Sequence, residues 1–165
     1  MLIQPEHRKV PQLRSGALPD QLTHQLRLIY AAETLTAVEL AALFRSATWM
    51  PLRLLLAGHR RATNRHIDRL VCLLPTVDGR VAPPLLRVGN GHRERDEVGS
   101  HSAAVIAERL RASRALLATY RPAVTLATAR GLGYAASLLS RSVDETTEAA
   151  NECAALAEEL SGCPG

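Results

Sequence analysis

Leu22, Leu26, Ile29, Glu33, Thr36, Leu40 and Leu43 recur at alternating steps of four and three residues. That spacing predicts one inward face of an α-helix. The helix can begin at Leu18-Pro19-Asp20, since proline is tolerated in a first turn and an acidic side chain favours the end where amides are unpaired. It runs to about Ala47. A second face follows at Leu52, Leu56, His59, Thr63, His66, Leu70 and Leu73, with Thr48 as the expected N-cap and Pro51 in the first turn.

From Thr76 to Gly99 the chain is rich in breakers and charge, and it reads as a long crossover with a short turn at Leu85 to Val88. A third helix is expected from Ser100 or Ser102. Its face carries Ile106, Leu110, Ser113, Leu117, Tyr120, Val124 and Ala127, with a kink ahead of Pro122, because proline lacks an amide donor and crowds the preceding turn. Gly131 and Gly133 end it. The fourth face is Leu139, Val143, Thr146, Ala150, Cys153, Ala157 and Leu160, stopped by SGCPG. Two helical hairpins joined by a long connection predict an all-α four-helix bundle over residues 18–161, preceded by a flexible arm over residues 1–17.

Composition agrees with helices. The 165 residues are 47% hydrophobic but only 3% aromatic, so the core must be mainly aliphatic, which favours helices over a β-sandwich. The net charge of +4 rests almost wholly on arginine, with Lys9 the lone lysine, and the arginines alternate with acidic residues along every segment. No block of like charge marks a nucleic-acid tail, and the arginine-bearing face of the second helix reads as a solvated face rather than a nucleic-acid surface. Cys72, Cys153 and Cys163 are odd in number and unrelated in spacing, an expectation of reduced thiols. With no apolar run of membrane-spanning length and no signal-peptide pattern, the expected location is the cytoplasm.

The polar residues inside the faces call for an explanation. Glu33, His59, Thr63, His66, Ser113 and Thr146 all fall near the middle of a seam, where a carboxylate or imidazole is costly unless it is paired or holds a metal. Ser113 and Thr146 can bond carbonyls one turn earlier. Glu33 has several open readings: an ion pair with His59 or His66 across a helix interface, a place at the exposed edge of the seam, or a share in a metal site. GLGYA, from Gly131 to Ala135, lacks a preceding strand and a phosphate-binding lysine, and is read as a helix-to-helix turn.

LIYAAETL around Glu33, followed by His59, Thr63, Ile67, Arg69 and Leu70, resembles the YciE/YciF-type ferritin-like proteins, a bacterial stress-associated family. Its first hairpin reads LYxAExQ and then HxxxTxxxIxRL. The second hairpin resembles the family at Ala118, Tyr120, Ala127, Gly131, Ala135, Ala136, Leu138, Leu139, Leu156 and Ala157. The resemblance implies a ferritin-like bundle, yet this chain departs from the family where carboxylates would surround a dinuclear metal site. Ser113, Arg114, Ala115 and Leu116 replace an EHYE-like motif, Ala62 replaces a glutamate, and Thr146 and Ala150 replace acidic residues. Asp144, Glu145 and Glu148 are expected on neighbouring, more exposed faces.

Of that set only Glu33, His59 and His66 survive as candidate metal ligands, enough at most for a single Fe, Mn or Zn ion. The resemblance with its departures therefore implies no catalytic residue and no resident cofactor. The expected role is non-catalytic, in association with itself as a homodimer or with a related helical-bundle protein. Trp49 and the Leu85 to Val88 segment are expected as exposed contact points. The alternative is a metal-binding oxidative-stress protein built on the residual Glu/His set.

Overall fold

The structure is a computed structural model that describes residues 20–74 and 98–162. They form four helices, α1 (Asp20–Ser46), α2 (Met50–Leu73), α3 (Val98–Ala129) and α4 (Gly133–Gly162), with no strand among the described residues. The N-terminal arm, most of the crossover with Leu85 to Val88, and Cys163 lie outside the described residues.

α1 packs on α2 and α3, and α4 packs on α3 and α2. The two core clusters give the directions. One gathers Leu22, Leu26 and Ile29 of α1 with Leu70, Leu73, Leu116, Tyr120, Ala123, Ala127, Ala135 and Leu139. The other gathers Leu40, Ala47, Leu52, Leu56, Val105, Ile106, Cys153 and Leu156. The start of α1 thus lies beside the end of α2, the end of α3 and the start of α4, so each helix is antiparallel to both its neighbours. α2 ends at one end of the bundle and α3 begins at the other, the arrangement that a long connection between two hairpins requires.

The turns follow from local chemistry. Between α1 and α2 the N-cap is Trp49, not Thr48; it has an extended backbone and makes no side-chain cap. Its carbonyl accepts the Arg53 amide at 3.1 Å. Trp49 packs against the second core cluster and is half-buried rather than exposed, so burial of its indole, not a hydroxyl cap, sets where α2 begins. Between α3 and α4, Gly131 takes φ 69°. The Gly131 amide bonds Thr128 O at 3.0 Å and the Leu132 amide bonds Ala127 O at 2.9 Å, the paired bonds of a Schellman cap. GLGYA is therefore a helix-to-helix turn. α3 begins at Val98, ahead of the expected serines, and runs on through the exposed Pro122 to Ala129.

The inward face of α2 is buried at all seven expected positions. In α3 and α4 the faces are rotated from expectation. Leu110, Val124, Val143, Ala157 and Leu160 are half-buried, as is Leu43 at the end of α1, whereas Arg109, Leu116, Ala123 and Ser142 are buried.

Candidate functional site

Between the two apolar clusters every helix turns a polar residue inward. Glu33 and Thr36 come from α1, His59, Thr63 and His66 from α2, Arg109 and Ser113 from α3, and Ser142 and Thr146 from α4, all buried. The bundle has two largely aliphatic ends and a polar waist.

Glu33 is wholly enclosed. Its Oε1 accepts the Tyr120 hydroxyl at 2.8 Å and lies 2.8 Å from His66 Nδ1. A carboxylate only accepts, so the Nδ1–H of His66 is the donor. Burial, and then the charge of Glu33, push the Tyr120 phenol far above its ordinary range, which keeps it a neutral donor. The rings of His66 and Tyr120 meet edge to face, 6.0 Å between centroids.

The other His66 nitrogen, Nε2, lies 3.2 Å from Glu145 Oε2 but is not aligned for a hydrogen bond. Glu145 is anchored on its far side. Arg69 donates to its Oε1 at 2.6 Å and to Ser142 Oγ at 3.1 Å, and Arg65 donates to its Oε2 at 3.3 Å. Partial burial would raise the Glu145 carboxyl, but the hydrogen bond and charge of Arg69, with Arg65 and His66, outweigh it and hold the group below its usual range. His66 thus stands between a carboxylate on α1 and one on α4, and Arg69 ties α2 to α4.

His59 is placed differently. Its Nε2 lies 3.6 Å from Glu152 Oε2 without a hydrogen bond. Burial and the nearby Arg109 push its pKa down to about 4, against a raising interaction with the Ala149 backbone. Arg109 is buried, its nearest carboxylate being Glu39, with Nη1 to Oε2 at 3.6 Å. Burial pulls the guanidinium down, and the charges of Glu39 and more distant groups oppose that shift.

A cavity of about 20 Å³ lies among these groups, lined by residues that include Glu33, His59, His66, Arg109 and Ser113. It is the size of one water molecule. Outside it, an open polar groove between α2 and α4 shares His59, Ala62, Glu145 and Ala149 with the cavity lining and carries Arg61, Arg65, Glu148 and Glu152.

Of the three sequence-derived candidates, then, Glu33 and His66 touch, while His59 lines the same cavity beside Arg109 and Glu152. Glu145, expected on an exposed face, is instead mostly enclosed and pairs with His66, Arg65 and Arg69. Arg69 and Glu145 are flank residues of neighbouring helices, and α2 packing on α4 brings those flanks together. Tyr120, read only as seam, is a hydrogen-bond partner of Glu33. Arg109 falls on the series Ser102, Ile106, Arg109, Ser113, Leu116, Tyr120, Ala123 and Ala127, which alternates by four and three, but the series through Leu110, Leu117 and Val124 does so equally; spacing leaves the two open and residue type favours the apolar one. Cys153 is buried and its thiol is pushed up to about 11 by burial, an inert state.

The four antiparallel helices define a ferritin-like four-helix bundle fold. The chain belongs to the family described as a domain of unknown function, DUF892, whose model matches residues 17–162. It is similar to the crystal structure of the E. coli stress protein YciF, with a TM-score of 0.73 and 22% identity, covering 88% of this chain and 97% of that one. That likeness concerns the fold, and with the family match it agrees with a chain of the YciE/YciF type. No curated protein matches the chain in sequence.

Ferritin-like bundles build dinuclear metal centres from about four carboxylates and two imidazoles on facing helices. The waist does not fit such a centre. It has one fully buried carboxylate, Glu33, and one, Glu145, committed to two arginines, while a guanidinium, Arg109, shares the cavity. Among the described residues no group of three His, Cys, Asp or Glu side chains converges to hold an ion. None of their helices is long and apolar enough to cross a membrane.

Proposed function

We propose that this chain is a non-catalytic ferritin-like bundle that acts in a bacterial cytoplasmic stress response by helix-to-helix association, as a homodimer or with a related helical-bundle protein. The observation that carries this reading is the internal commitment of the waist. Glu145 is spent on Arg69 and Arg65, and Glu33 on His66 and Tyr120, so the carboxylates that redox chemistry at two metal ions would need are already engaged. The name of E. coli YciF as a stress protein supplies the physiological setting. The surface supports association through the first hairpin. Among the described residues the exposed large apolar side chains are Leu28, Val38, Met50, Leu54, Val71 and Tyr134, and all but Tyr134 lie on α1 and α2. Light scattering on the purified chain is expected to report a dimer that Val38→Glu with Leu54→Glu converts to monomer. A monomer at tens of micromolar protein, on the scale of weak association, with no helical-bundle partner recovered from the native cell, would end this reading.

A second reading has its own observation. Glu33 Oε2, His59 Nε2 and His66 Nε2 are buried without hydrogen-bond partners, and a single Fe, Mn or Zn ion would draw on such atoms in an oxidative-stress protein. Metal analysis of protein purified without chelator separates the two. A stoichiometric ion that disappears in His59→Ala with His66→Ala would favour the second.

A further inference from the structure

The open groove between α2 and α4 is floored by small residues, Gly58 and Ala62 on one side and Ala149 on the other. A methyl group placed on the Gly58 Cα would meet nothing within 4 Å. The groove therefore reaches about 190 Å³, against about 20 Å³ for the inner cavity, enough for a small organic molecule rather than a single water. Its walls carry opposite charge. Arg61 and Arg65 stand one turn apart on α2, and Glu148 and Glu152 one turn apart on α4, the spacing that puts both members of a pair on one helix face.

At one end the two walls join, where Arg65 donates to Glu145 at 3.3 Å. One turn further along they do not. Arg61 and Glu148 are exposed, and among the described residues neither makes an ion pair. Glu152, half-exposed, has only His59 beside it at 3.6 Å, an imidazole that burial keeps neutral. His59 is 4% exposed, and the Nε2 that it turns toward Glu152 has no hydrogen-bond partner. A buried nitrogen left unpaired at the wall of a groove is a cost that an occupant can relieve. A molecule carrying both charges can also engage a cation and a carboxylate that face each other without meeting. Because Arg65 crosses the whole groove to reach Glu145, the walls stand close. An ammonium and a carboxylate joined through one carbon match them better than charges at the ends of a long chain.

We propose that the groove between α2 and α4 is a binding site for a small zwitterion, a free α-amino acid, whose carboxylate is held by Arg61 and whose ammonium is held by Glu148 and Glu152 over His59. The test is a titration of the isotope-labelled full chain with L-norvaline, followed by backbone amide shifts, beside valerate and butylamine, which each keep one of its two charged ends. L-norvaline is expected to shift the amides of Arg61, Ala62 and Ala149 with a Kd of about 1 mM or tighter. Valerate and butylamine are expected to bind at least about tenfold more weakly, the loss of one charge-assisted hydrogen bond. Arg61→Gln and Glu148→Gln are each expected to weaken L-norvaline by a similar factor. Ala62→Leu fills the groove and is expected to abolish binding, and Gly58→Leu fills it from the next turn if Ala62→Leu loses its helical circular dichroism. Absence of shifts at about 20 mM L-norvaline overturns the proposal. So do equal affinity for valerate or butylamine, and shifts that persist unchanged in a folded groove-filling variant.

Discussion

The Nδ1 of His66 and the Oε1 of Glu33 lie 2.8 Å apart with both side chains almost completely enclosed. Joining α2 to α1 at mid-height, this pair is worth most as a whole. Removing one member leaves the other buried without its partner, whereas replacing the whole set with apolar groups removes the desolvation cost as well. His66→Ala is expected to lower the unfolding free energy by about 3–5 kcal/mol in urea denaturation. Glu33→Met/His66→Leu/Tyr120→Phe, which removes every member of the cluster, is expected to be at least as stable as wild type. A triple variant weaker than the single one would show that the cluster holds the bundle together rather than merely being tolerated in it.

Tyr120→Phe isolates one bond. The phenol donates to a buried carboxylate, and hydrogen bonds to charged groups contribute about 1.5–3 kcal/mol. A loss in that range is expected, with the helical signal unchanged. A change below about 0.5 kcal/mol, the usual scale for surface substitutions, would mean that Glu33 finds another donor.

His59 should give the fold a pH dependence of definite sign. Its folded pKa is about 4 against 6.5 for the free side chain, so the unfolded chain takes up a proton before the folded one does. Its contribution is fully present above pH 6.5 and is lost as the pH falls toward 4. The difference amounts to about 3 kcal/mol. Glu145, whose carboxyl is held below its ordinary value, loses its contribution only lower on the pH scale, below the normal carboxylate range. Unfolding free energies measured at pH 7 and pH 5 are expected to differ by less in His59→Gln than in wild type, and identical slopes would refute the assignment.

Two glycines should respond in opposite directions. Gly131 has φ +69° at the end of α3, where an L side chain is strained, so Gly131→Ala is expected to cost about 1 kcal/mol. Gly58 lies inside α2, and a methyl group added to its Cα would meet nothing within 4 Å, so Gly58→Ala is expected to stabilise by about 0.4–1 kcal/mol. Thermal melts of the two variants decide it.

The helices and the inward face of α2 were legible because seven positions there obey the helical period and differ from their neighbours in polarity. Glu33 and His66 were legible for the same reason, as polar residues at seam positions. Arg109 and Ser142 were not, because each sits one residue from an apolar neighbour, Leu110 or Val143, that residue type favours. Spacing did not separate them, since the faces through Leu110 and through Val143 also step by four and three. Glu145, Arg65 and Arg69 lie off the seams, and their meeting depends on which helices are neighbours, which no single helical period records. Trp49 was misplaced because capping rules weigh the hydroxyl of Thr48 and not the area that an indole can bury.

The polar belt between the two aliphatic clusters also fixes alignment along the bundle axis. Leucine and alanine faces pack nearly as well after one helix slides past another by a turn, about 5.4 Å. Such a slide would carry Glu33 away from His66 and Tyr120, in one direction to the level of Ile29 in the apolar cluster. A mid-height polar lock therefore gives the four helices one vertical setting, in the way a single polar residue sets the pairing of a coiled coil, and that alignment is a reason for the chain to keep buried polar residues whatever else the waist does.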